Sequence, residues 1–250
     1  MNQQADENNT EQGQTLISHL TELRSRLLHC IIFVLILFAV LSCFANDIYS
    51  FLASPLFKHL SPDGSMIATE VASPFIAPFK LAFFVAVFIS MPYLIYQMWL
   101  FVAPGLYDNE KDFVRLVLGS GIVLFYAGIV FAYYVILPIL FGFFTAVAPD
   151  GVTVMTDISR YLDFVIKIFF AFGLAFEVPV VTMLLIWSGF TSVDILKKSR
   201  PYCIVGAFVI GMLLTPPDVL SQILLALPVW GLFELGLLLG ARLIPKSKNE

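Results

Sequence analysis

The stretch HCIIFVLILFAVLSCFA, residues 29–45, contains no Asp, Glu, Lys or Arg. A helix of that composition has no face to offer water, and a bilayer is the solvent that suits it. The same reading extends along the chain. Residues 79–102 give a second span, interrupted only by Lys80 at its start, and residues 114–144 give a third, with Pro138 near its end to tilt or kink it. Residues 161–187 give a fourth, which carries Lys167 and Glu177. Residues 202–214 form a shorter run, and a last apolar stretch, 219–244, holds Glu234. Between these two stands Thr215-Pro216-Pro217-Asp218, and two prolines cannot continue a helix interior, so a tight turn joins antiparallel helices. The expected fold is therefore an all-α integral membrane protein with six transmembrane helices.

Composition agrees. Of 250 residues, 59% are hydrophobic and 13% charged, whereas soluble domains carry about 25% charged residues. The net charge of -4 is spread over small loops, and no basic block suggests nucleic acid. Cys30, Cys43 and Cys203 sit in or beside apolar runs without metal-ligand spacing and read as small hydrophobes. Residues 1–15 are polar and acidic, with no small-residue cleavage site before the first apolar run, so they read as a disordered tail ahead of an uncleaved span. The membrane domain then covers 16–244, with a short tail at 245–250.

Loop charge orients the chain. Arg24 and Arg26 precede the first span; Lys111 and Arg115 follow the second. Lys197, Lys198 and Arg200 follow the fourth, and Arg242, Lys246 and Lys248 close the chain. Only Lys58, Lys80, Arg160 and Lys167 lie toward the other side, so the excess of basic residues predicts that both termini are cytoplasmic.

Enzyme constellations are mostly missing. His19, His29 and His59 form no metal-binding pair, and there is neither HExxH nor a phosphate loop. Gly119-Ser120-Gly121 has no base at comparable depth, and small residues in a membrane helix mark close packing. Leu16, Leu20, Leu23 and Leu27 recur at helical spacing and make an amphipathic lead into the first span. Within it Glu22 and Arg26 stand four apart, and the plain reading is a local ion pair. Pro104-Gly105 turns the loop before Asp108, Glu110 and Asp112, acids that also suit a helix start. Glu22 and Glu110 thus lie at one interface, where two carboxylates would suit two guanidinium groups. Glu177 lies inside a span, where a carboxylate is costly and function is the default hypothesis; the alternative is a partner such as Lys167 or a backbone N–H freed near Pro179. Asp218 reads as an N-cap, and Gln222 lies one turn further on the same face. A proton-coupled small-solute transporter using Glu177 is the rival function, but no repeat symmetry supports it.

These segments together resemble the TatC family, the polytopic component of the twin-arginine translocase. The matching stretches are His19-Leu20-Thr21-Glu22-Leu23-Arg24-Ser25-Arg26, Ser73-Pro74-Phe75, Pro104-Gly105-Leu106 through Glu110-Lys111, Phe172 through Pro179, Thr215-Pro216-Pro217-Asp218 through Gln222, and Pro228 with Leu232-Phe233-Glu234. The resemblance implies a concave six-helix bundle whose last two helices are short, and a non-enzymatic role without cofactor or metal. It implies a receptor for twin-arginine signal peptides of folded cargo, in the bacterial inner membrane, acting as a homo-oligomer within a larger complex. By matching positions, Glu22 and Glu110 would bind the peptide, Arg24 and Arg26 would shape that patch, and Phe101, Pro55 and Pro104 fall at positions the family needs. Glu177 would face the concave side, and Met212, Asp218 and Gln222 would lie where TatB- or TatA-like single-span partners dock.

Overall fold

Eleven helical segments are seen in a computed structural model that describes residues 3–57, 66–102, 108–147, 155–214 and 219–243. Side chains are described within 21–54, 66–98, 100–101, 117–147, 155–213, 219 and 222–242. Helix α1 runs Gln3–Ser42 without a break. It continues back through the acidic segment read from the sequence as a disordered tail. At the other end α1 stops at Ser42, where Cys43 and Phe44 turn into helix α2 (Ala45–Phe57).

Helix α3 (Ser73–Val102) returns antiparallel to α1 and packs along it. Helix α4 (Asp108–Phe131) starts the third span, which the structure breaks. Pro138 has no N–H and its ring crowds the carbonyl four residues back. The ladder relaxes into a π turn at Ala132–Ile136, where the Leu137 N–H donates to the Ala132 carbonyl five residues earlier, before α5 (Leu137–Ala146) resumes. The fourth span is broken too. Helix α6 (Ile158–Ala175) stops at a turn through Phe176 and Glu177, and α7 (Val178–Trp187) follows with Pro179 in its first turn. A short helix α8 (Val193–Lys198), capped by Ser192, leads into α9 (Arg200–Leu214) and α10 (Val219–Leu243).

Five helical stretches among the described residues are long and apolar enough to cross a membrane: Thr21–Ser42, Ser73–Met98, Val117–Ala146, Ile158–Trp187 and Gln222–Arg242. Arg200–Leu213 is a shorter apolar helix. The expectation that both final helices are short is corrected here. The 15 residues of α9 reach about 22 Å, but the 25 of α10 reach about 37 Å and suffice for a hydrocarbon core of about 30 Å. Pro228 does not end α10.

The core lies where α4, α5 and α6 meet, with Phe125, Leu137, Leu162 and Phe172 fully buried. Without an aqueous driving force, close backbone approach holds such helices together. Gly128 provides it: a Cβ there would overlap the carbonyl of Phe172 across the α4–α6 contact. By contrast Leu27 and Ile36 on α1 are more than half exposed, which is the lipid-facing side of a membrane helix and no defect. At the end of the bundle reached by Ser42, α2 lies against the other helices. The buried Tyr161 hydroxyl donates to the Leu52 carbonyl at 2.8 Å, and Tyr133 donates to Phe51 at 3.0 Å while its ring stacks on that phenylalanine. We call this the far end, and the end holding Thr21 and Phe101 the near end.

Candidate functional site at the near end

The near-end site grows from the amphipathic start of α1. Glu22 and Arg26 fall one helical turn apart, and Arg26 Nε donates to Glu22 Oε1 at 3.0 Å, with its NH2 group on the same oxygen. The local ion pair read from the sequence is therefore present. Arg26 also reaches across to α3, where its NH1 group donates to Gln97 Oε1 at 3.3 Å. Gln97 in turn donates to the Tyr93 hydroxyl at 2.7 Å, and the Tyr93 ring lies 4.5 Å from that of Phe33. Beside this chain is an apolar groove of about 340 Å³, lined by Leu23, Leu27, Met91, Met98 and Phe101. Phe101 is thus brought next to Arg26, whereas Arg24 is exposed. The backbone of Glu110 lies in the first turn of α4, at the same end as Glu22, because α1 carries the chain out and α3 brings it back. The side chains of Glu110 and Pro55 lie outside the described residues, as do Pro104 and Asp218 altogether.

Glu177 is the intramembrane candidate. It occupies the turn between α6 and α7, and its carboxylate meets Gly121 of α4: a Cβ at Gly121 would stand 2.8 Å from Glu177 Oε2. Its Oε1 is buried and accepts no hydrogen bond from the described residues, so pairing with Lys167 or a freed N–H is not what the structure contains. Lys167 stands ten residues earlier, about 15 Å along the helix. The Gly-Ser-Gly stretch serves packing as expected, with Gly121 under Glu177 and the Ser120 hydroxyl donating back to the Val117 carbonyl at 2.6 Å. On the last two helices Gln222 faces Gly211, while Met212 beside it is 53% exposed. Glu234 takes a two-pronged grip from Arg200, at 2.7 Å for both Nε and NH2, which ties the near ends of α9 and α10.

Three groups escaped sequence reading. Asp157 caps α6, its Oδ1 accepting from the Ser159 and Arg160 N–H groups at 3.0 Å. Its Oδ2 accepts the Thr69 hydroxyl at 2.7 Å and the Thr69 N–H at 3.0 Å, beside a parallel bridge between Ile67 and Asp157. These bonds, the Thr69 hydroxyl first and the N–H groups after it, hold the carboxyl down to about 2. An acid directly before an apolar helix is a cap signature, and that signal was available. Lys80 pairs with Asp163, joining α3 to α6. Gln97 had no sequence signal, since only the register of α3 on α1 places it.

Residues 18–228 match the family described as Sec-independent protein translocase protein (TatC). The chain is 56% identical over 234 residues to a Sec-independent protein translocase protein TatC of Azotobacter chroococcum, covering 94% of this chain and 92% of that one. It is 52% identical over 240 residues to the protein so named in Escherichia coli K12, covering 96% and 93%. A crystal structure described as the twin arginine translocase receptor TatC superposes with a TM-score of 0.79 at 36% identity, covering 89% of this chain and 98% of that chain.

Proposed function

This chain belongs to the TatC family, and from that premise we propose that Glu22 and Glu110 together seat the two arginines of a twin-arginine signal peptide. The protein is the receptor subunit of the twin-arginine translocase, a multi-pass membrane protein and no enzyme. The observation that carries the residue assignment is the state of Glu22. Among the described residues both Arg26 bonds fall on Oε1 and none on Oε2, the oxygen proposed to accept from an arriving guanidinium. The resident pair is part-exposed and one turn apart, so it is worth only about 0.3–0.5 kcal/mol. A charge-assisted hydrogen bond from the peptide is worth about 1.5–3 kcal/mol. Binding at Oε2 therefore outweighs any weakening of the resident pair, and Gln97 already holds the third arm of Arg26. Lysine in place of either peptide arginine weakens the complex, because ammonium lacks the planar fork.

Basic residues at the near end support a cytoplasmic side for both termini and an inner-membrane location. Met212 and Gln222 on the last two helices, with Asp218 and Glu177, are proposed to receive single-span TatA- and TatB-like partners in a larger complex containing several copies of this chain. Pro104 is proposed to set the loop between α3 and α4, and Pro55, which lies within α2, to shape that helix near its end. The test is photo-crosslinking of a twin-arginine peptide to the purified protein. Glu22→Gln and Glu110→Gln should each lower capture at least tenfold. Parental capture by both variants would end the assignment.

A further inference from the structure

Basic residues are scarce on the far side of the bundle, and three of the four found there lie on α6 or pair with it. Lys80 of α3 pairs with Asp163 of α6. Arg160 stands three residues before Asp163 and Lys167 four after it, which puts all three on one face of α6. Two further cations thus share the helix face of one carboxylate, and that carboxylate is paired with Lys80. Arg160 and Lys167 are exposed and form no ion pair among the described residues. Among the described residues neighbouring acids do not neutralise them. Both oxygens of Asp157 are occupied by Thr69, Ser159 and backbone N–H of Arg160, and Asp47 and Glu70 make no ion pair with them.

Depth identifies the counter-anion. At 1.5 Å per residue, Arg160 lies about 3 Å and Lys167 about 13 Å below the start of α6, and Lys80 about 10 Å below the start of α3. Long basic side chains at that depth extend toward the headgroups. One turn deeper the ring of Phe84 meets that of Phe170 edge-on at 5.8 Å, an apolar wall between α3 and α6. A phosphate above and hydrocarbon below is the layout of a phospholipid. We propose that this face binds an anionic phospholipid, its phosphodiester held by Arg160 and Lys167 beside the Lys80–Asp163 pair and its acyl chains against Phe84 and Phe170. Arginine supplies the two-pronged contact to phosphate oxygens, and lysine a point charge.

Native mass spectrometry of the detergent-purified protein, titrated with phosphatidylglycerol or phosphatidylcholine, tests this. Phosphatidylglycerol should be retained preferentially. Each cation removed should weaken retention about fivefold, and Arg160→Gln with Lys167→Gln about 25-fold. Arg160→Lys with Lys167→Arg keeps both charges and should keep preferential retention, which separates loss of the site from loss of fold. The near-end pair Lys197→Gln with Lys198→Gln should change nothing. Equal retention of both lipids, or an unaltered preference in the Gln double variant, overturns the proposal. Full displacement of the lipid by millimolar inorganic phosphate also overturns it, since the apolar wall would then contribute nothing.

Discussion

Replacing Tyr161 with Phe removes one oxygen atom and isolates what that oxygen does. The residue is 2% exposed, its ring packs 5.5 Å from that of Phe141, and its hydroxyl donates to the Leu52 carbonyl of α2 at 2.8 Å. Phenylalanine keeps the ring contact. Leu52 lies within α2, so its carbonyl keeps its place in that helix and loses a second, tertiary bond. The loss is that of one net hydrogen bond in a buried setting, about 1–1.5 kcal/mol. For a chain of this length each kcal/mol shifts Tm by about 2–4 °C, which gives a fall of about 2–6 °C. Tyr133 makes the matching bond to Phe51 from a half-exposed position, so Tyr133→Phe should cost about 0.5 kcal/mol. Thermal melts in detergent, followed by tryptophan fluorescence, measure both. Hydrogen exchange of the α2 amides should rise more in the Tyr161 variant. The reasoning is refuted if Tyr161→Phe melts with the parent protein, or if Tyr133→Phe is the more damaging change.

Two further outcomes follow from the bonds described. Asp157 has a folded pKa near 2 against an ordinary 3.8, so its stabilisation is nearly complete above about pH 5 and disappears as pH falls toward 2. Melts of the parent and of Asp157→Asn should differ by a nearly constant amount above about pH 5 and draw together as pH falls toward 2; a gap undiminished at pH 2 contradicts the ionised clasp. Gly121→Ala places a methyl group 2.8 Å from Glu177 Oε2, and the end of that flexible side chain moves before any helix does. Stability should be unchanged or higher by up to about 1 kcal/mol, from helix propensity alone. Export should fall along with that of Glu177→Gln, and full export in the first with loss in the second shows that the carboxylate's placement does not matter.

The places where sequence reading and structure part company share a cause. Pro138 and Pro179 announced disturbances in the third and fourth spans, but a proline does not say how the helix recovers. In one case the ladder takes a π turn, in the other the helix stops and restarts around Glu177. Glu22 and Arg26 were readable as a pair because one turn of helix joins them, a property of spacing alone. Gln97, which takes the third arm of Arg26, is 71 residues away, and no local pattern points to it.

Apolar runs, prolines and the asymmetry of basic loops determined by themselves that this chain spans a membrane as a helical bundle. A span must satisfy its own backbone hydrogen bonds in lipid, so its signal is local and continuous. Tertiary structure alone decided which helices touch. Thr69 meets Asp157 across 88 residues, Lys80 meets Asp163 across 83, and Glu177 is set against Gly121. Those contacts depend on helix register and on how closely small residues let backbones approach, and neither quantity is written in hydropathy.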